Sequence, residues 1–189
     1  MKVLRVCTGR AQEITVDGRQ VLTAIGKRGA RVQPVPVHPL GLEGDEQADP
    51  TVHGGLAKAV YAYPSEHHDF WRTVRAQARV AAWDAPAPPG LFGENLLLEG
   101  LTEERLWIGD RLELPGCVLA VSEPRLPCAK FAIAMGFAQA VKLMARSGYC
   151  GSYLAVIEPG RVADGDPIVL RPGPREVNLR ELFLARMRG

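Results

Sequence analysis

Cys128 is the residue in this chain best placed to do chemistry. It lies in the run Ser122-Glu-Pro-Arg-Leu-Pro-Cys-Ala-Lys130, where a strand-like stretch, Val118 to Val121, gives way to two prolines and then to a predicted helix. A helix N-terminus exposes unpaired N–H groups and partial positive charge. Arg125 and Lys130 flank the sulfur. Each influence favours thiolate over thiol, and a thiolate is a nucleophile or a soft-metal ligand. The other cysteines lack this setting. Cys7 and Cys117 lie in apolar runs and read as core, while Cys150 follows a predicted helix stop and is given no role.

Three further groups of residues could serve a ligand. In Val52-His-Gly-Gly55, His53 can donate to an anion or ligate a metal, and Gly54 and Gly55 let backbone approach closely. The same string also suits an ordinary surface turn. Phe92-Gly-Glu-Asn95 offers Gly93 for close approach, Asn95 with a donor and an acceptor, and Glu94 as an acceptor for an amine-bearing edge. Read alone it is a strand-entry turn. Lys27, Arg28, Arg31 and Lys58 form a candidate basic set for phosphate, with arginine suited to bidentate contact and lysine acting as a point charge. The bland reading of each is a solvated surface charge. Glu43, Asp45, Glu46 and Asp49 do not follow the ligand alternation of a calcium loop and read as solvated. The sequence contains no P-loop, no GxGxxG and no Ser-His-Asp arrangement.

Short strands must position these residues. Val3 to Cys7 is an apolar strand. Asp17-Gly18 predicts a hairpin between Glu13–Val16 and Gln20–Ile25. Val32 to Val37 looks extended, and its prolines place it at a sheet edge. Gly41 to Gly55 is a long polar loop, and loops of that length in compact domains are functional or disordered. Ala59–Tyr63, Leu91–Leu98, Leu106–Ile108, Arg111–Leu114, Cys117–Val121, Tyr153–Ile157 and Ile168–Leu170 read as further strands. Helices are predicted after Ser65 as N-cap, after Cys128 with a break at Gly136 and a stop at Gly148, and from Asn178 to Met187 with Asn178 and Glu181 as a capping pair. About ten short strands with two or three short helices predict a mainly β fold, a closed or partly closed barrel, rather than a doubly wound α/β sheet.

Composition narrows the class. Of 189 residues 47% are hydrophobic, enough for a sizeable core in one domain. Residues 1–172 are expected to form the barrel and 173–189 a short helical tail. A net charge of +2 and a pI near 8.4 suit a small anionic ligand and do not signal nucleic acid. No apolar run reaches the ~18 residues of a membrane span, no signal peptide is visible, and no cysteines are spaced C-x-x-C. The expectation is a cytoplasmic protein with reduced thiols and no membrane partner.

The ordered string GLEGDEQAD, VHGG, KAVYAYP, PGLFGEN, IGDRLEL, SEPRLPCAK and SG-x-x-G-x-Y resembles the MOSC family, in particular its bacterial YiiM-type branch, from about Thr23 to Leu170. The resemblance implies a β-barrel with a molybdenum cofactor of the molybdopterin type. It implies Cys128 as catalytic residue and molybdenum ligand, with Lys27, Arg28, His53, Gly54, Gly55, Asn95, Arg125 and Lys130 around the cofactor. It further implies an oxidoreductase that reduces a small N-hydroxylated substrate, such as an N-hydroxylated base, with electrons from a separate reductase. The alternative is a non-catalytic module that carries the cofactor, or sulfur as a Cys128 persulfide. The resemblance also leads one to expect arginines where this chain has Tyr149 and Ala155.

Overall fold

The strand Val60–Pro64 is buried at every position, because its two faces serve two different cores. Side chains alternate across a strand. Val60 and Ala62 therefore point into the aliphatic interior of the sheet, and Tyr61 and Tyr63 point the other way, into an aromatic cluster beneath the helices. The rest of the fold is arranged around this division.

A computed structural model of the chain describes residues 1–16, 18–48 and 54–188. In chain order the strands are β1 (Lys2–Thr8), β2 (Gln12–Val16), β3 (Arg19–Thr23), β4 (Arg28–Gly29), β5 (Val35–His38), β6 (Gly41–Leu42), β7 (Val60–Pro64), β8 (Leu96–Glu99), β9 (Arg111–Leu114), β10 (Cys117–Pro124), β11 (Ser152–Glu158), β12 (Gly160–Val162) and β13 (Val169–Arg171). The α-helices are α1 (His68–Gln77), α2 (Ala129–Met135), α3 (Ala140–Ser147) and α4 (Leu179–Arg188).

The fold is mainly β. One sheet has the order β13-β9-β10-β11-β7-β8-β1-β4. It curls until its ends approach: Val3 N–H donates to Asp166 O at 2.9 Å and Ile168 N–H to Met1 O at 3.0 Å, just ahead of β13. The result is a partly closed barrel, which leaves little edge exposed. β2 and β3 form the expected hairpin, and β12-β5-β6 form a small third sheet.

Several expectations need correction. β5 is the middle strand of its sheet, not an edge. Pro36 is tolerated there because only its donor is missing, and its carbonyl accepts Glu43 N–H at 2.9 Å. The strand read from Leu91 begins only at Leu96, since Gly90 and Gly93 take positive φ and hold 90–95 as a tight loop. Ser65 does not cap α1; it opens a 3₁₀ turn, Ser65–His67, and α1 starts at His68. The helical stretch after Cys128 does break at Gly136, in the left-handed conformation at φ 83°, which separates α2 from α3. Asn178 caps α4, accepting from Arg180 N–H at 3.0 Å and Glu181 N–H at 3.2 Å. Phe183 of α4 joins Trp71, Phe92, Phe131, Met135 and Met144 in the aromatic cluster.

Candidate functional site

β10 delivers the chain to the site. Its alternation buries Cys117, Leu119 and Val121, and the strand ends at Pro124. Arg125, Leu126 and Pro127 then lead to Cys128, which sits in the extended conformation at φ −133°, ψ 170° as the residue before α2. Cys128 is half-buried, whereas Cys7, Cys117 and Cys150 are fully buried. Burial pushes the Cys7 thiol up to about 12 and that of Cys117 to about 11, and raises Cys150 well above the ordinary thiol range. Those three sulfurs remain protonated hydrophobes. Cys128 alone borders an open cleft.

That cleft, about 620 Å³, is lined by Cys128, Arg125, Lys130, Lys58, Lys27, Asp45, Asn95, Tyr61, Tyr153 and Phe92, among others. It therefore gathers Lys27, Asn95, Arg125, Cys128 and Lys130 from the sequence reading. Arg28 lies outside it, on β4 at a neighbouring cleft. Gly54 and Gly55 lead into the 3₁₀ turn Leu56–Lys58 that presents Lys58, and Gly55 takes a φ of 81°. His53 is outside the described residues.

Arg125 is the unusual member. It is 4% exposed, yet no carboxylate pairs with it among the described residues. Its guanidinium lies over Phe131 at 4.7 Å and Tyr61 at 5.8 Å, and Nη1 donates to Met144 Sδ at 3.5 Å. A buried cation normally needs an anion. This one faces a cleft that could receive one.

Lys27 and Asp45 form a buried ion pair, and Asp45 also accepts Gly9 N–H at 2.9 Å. The acidic loop read as solvated thus contributes two acidic residues, Asp45 and Glu46, to the cleft lining. Asn95 is committed too: its Oδ1 accepts Tyr61 N–H at 3.0 Å and its Nδ2 donates to Cys7 O at 3.3 Å, tying β7 to β1. Glu94 faces its own loop instead of a ligand, accepting Gly90 N–H at 2.6 Å and Phe92 N–H at 3.0 Å. Complete burial raises its carboxyl to about 7 against these hydrogen bonds.

Sequence reading missed the aromatic wall. Tyr61 and Tyr153 lie 5.4 Å apart at a 45° tilt, and Lys58 Nζ stands 5.9 Å from the Tyr153 ring centre. Their apolar strand context gave no cue beyond packing. Among the described residues no three His, Cys, Asp or Glu side chains converge on a metal position. A metal bound here would need donors brought by a ligand.

A MOSC domain model matches residues 49–169. The chain belongs to the MOSC domain family. It is 40% identical to an uncharacterized protein, YflK, of Bacillus subtilis over 163 residues, covering 86% of this chain and 70% of YflK. It is 36% identical over 170 residues to Protein YiiM of Escherichia coli, covering 89% of this chain and 66% of YiiM. A protein of Gibberella moniliformis called a reductase is 33% identical over 193 residues, 97% of this chain but 32% of that protein. Among solved structures, YiiM from Geobacillus stearothermophilus superposes with a TM-score of 0.77 at 28% identity, covering 98% of this chain and 83% of the other. YiiM from Escherichia coli superposes at 0.71 and 27% identity, with coverages of 100% and 79%.

For this MOSC domain, the two positions without the expected arginines do not line the cleft. Tyr149 stacks on His67 at 3.8 Å, behind the aromatic cluster. Ala155 sits on β11 opposite Ala120. No helix among the described residues is long and apolar enough to cross a membrane.

Proposed function

We propose that this MOSC domain binds a molybdenum cofactor through Cys128 and reduces N-hydroxylated compounds with electrons from a separate reductase, in the cytoplasm, where thiols stay reduced. The observation that carries the reading is the joint placement of a half-exposed thiol and a buried arginine without a carboxylate at one cleft. The residues present fit the group. Cys128 offers one soft donor, and Arg125, Lys58 and Lys130 offer cations for the phosphate and for nearby anions. When bound, the cofactor supplies two dithiolene sulfurs, the metal and its two-electron couple.

The chain's own residues bind and orient. Tyr153, partly exposed at the cleft and backed by the buried Tyr61, provides flat apolar surface for a planar substrate. Arg125 holds positive charge in a buried position on the cleft that Cys128 also lines. The overall change, R–NHOH to R–NH2 and water, consumes two electrons and two protons, and the donor reductase delivers the electrons. The Gibberella relative supports reductive chemistry by its name, and it carries much further sequence beyond the part that matches this chain.

The deciding experiment uses the full chain expressed in a molybdenum-competent host. Cys128→Ser is nearly isosteric. Its molybdenum and oxidised-pterin content should fall to background while the fold persists, and Cys150→Ser, a change in the buried core, should retain both. Equal molybdenum in Cys128→Ser and wild type would refute ligation.

A further inference from the structure

Thr23, Ile25 and Lys27 line a second cleft as well as the first, so the two hollows share this segment as a wall. The second measures about 1310 Å³. The charged lining of the second cleft is Arg5, Lys27, Arg28 and Arg31, with no carboxylate among its lining residues. Arg5 is held by Asp164 at 2.6 Å, and Lys27 by Asp45. Arg28 and Arg31 have no ion pair or side-chain hydrogen bond among the described residues. Leu91 and Ile133 supply an apolar flank.

The backbone under Arg28 is firmly set. β4 pairs Arg28 with Thr8 of β1. A Cβ on Gly90 would stand 2.2 Å from Lys27 O, so the 90–95 loop presses directly on this segment. Arg28 on the paired strand and Arg31 in the bend just beyond it are both exposed, and with no carboxylate among the described lining residues the pair suits the oxygens of a phosphate. A neutral or cationic ligand would gain nothing from them.

We propose that the second cleft is a phosphate subsite, and that the substrate is a nucleotide whose N-hydroxylated base enters the first cleft while its phosphate meets Arg28 and Arg31. The proposal rests on the reductase reading and narrows its substrate class. The partly exposed Tyr153 ring of the first cleft suits the flat base, and the aliphatic flank of the second suits the sugar.

The test compares N6-hydroxyadenosine with its 5′-monophosphate, by calorimetric titration of the full-length protein at low salt. The monophosphate should bind about tenfold more tightly than the nucleoside, the size of a charge-assisted contact at an open site. In the double variant Arg28→Ala/Arg31→Ala the advantage should shrink below about twofold, and Arg28→Lys/Arg31→Lys should restore part of it, since the charge returns without the fork. Pterin content should be the same in all three proteins. Equal affinity for the two ligands in the wild type would overturn the proposal. So would an advantage that survives both alanines, or loss of pterin from the alanine variant, which would assign the arginines to the cofactor. Binding requires no turnover. Unaltered molybdenum in Cys128→Ser would therefore sink the reductase reading without touching this result, and an absent phosphate advantage would leave the Cys128 result standing.

Discussion

Arg125 meets a thioether where a carboxylate would be expected: its Nη1 donates to Met144 Sδ at 3.5 Å. The contact joins the exit of β10 to α3, and it leaves the positive charge uncompensated at 4% exposure. A soft, polarizable neighbour and two aromatic faces make the guanidinium tolerable without neutralising it.

Arg125→Met is therefore expected to separate stability from binding. Desolvation of the lone cation is relieved, which favours the variant by about 1–2 kcal/mol. The lost contacts to Phe131 and Tyr61 cost about the same. The urea midpoint should stay within about 1 kcal/mol of wild type, while cofactor retained after purification falls at least about tenfold. A drop of about 3–5 kcal/mol would instead reveal a buried anionic partner.

The sequence made the barrel and Cys128 legible because both depend on local signals. Turn residues and apolar alternation mark β1, β9, β10 and β11, and the Pro-x-x-Pro-Cys string marks the exit of β10. The cleft walls depend on long-range packing, which leaves no local trace. Asp45 reaches Lys27 across 18 positions, and Tyr61 approaches Tyr153 only because β7 and β11 pair. The glycines at 90 and 93 gave a turn signal, but strand propensity across Leu91–Leu98 masked it.

Asp45→Asn should show how far the buried Lys27–Asp45 pair matters to the fold. Their side chains are 8% and 4% exposed, so removing one charge strands the other. The expected loss is about 3–5 kcal/mol in denaturant unfolding. Adding Lys27→Met should recover most of it, because the orphaned ammonium disappears. A single variant as stable as wild type would mean that Lys27 finds another anion.

Tyr149→Arg restores the residue that the family resemblance leads one to expect at that position. Tyr149 stacks on His67 and meets Phe70 at 5.2 Å, away from the cleft. The substitution should cost about 1 kcal/mol in lost aromatic contact and leave cofactor content unchanged. A rise in cofactor content would show that position 149 reaches the ligand after all.

Glu94 gives the chain a pH-dependent stability whose sign follows from its burial. Its folded carboxyl stands at about 7, above the ordinary 4.5, because desolvation outweighs the Gly90 and Phe92 hydrogen bonds and the nearby Lys27 charge. Below about pH 4.5 both folded and unfolded states carry the proton, and the stabilisation of the neutral form is fully present. Between 4.5 and 7 the unfolded chain releases its proton while the folded chain keeps it, so stability falls as pH rises, by on the order of 3 kcal/mol in all. Glu94→Gln is neutral throughout and lacks this slope. Its single oxygen can serve Gly90 or Phe92 but not both, which costs about 1–2 kcal/mol at pH 5. Urea unfolding at pH 5 and pH 8 should thus show the variant weaker than wild type at the lower pH, and the gap closing or reversing at the higher. Parallel pH profiles for the two proteins would mean that Glu94 ionises in the folded state as readily as in water.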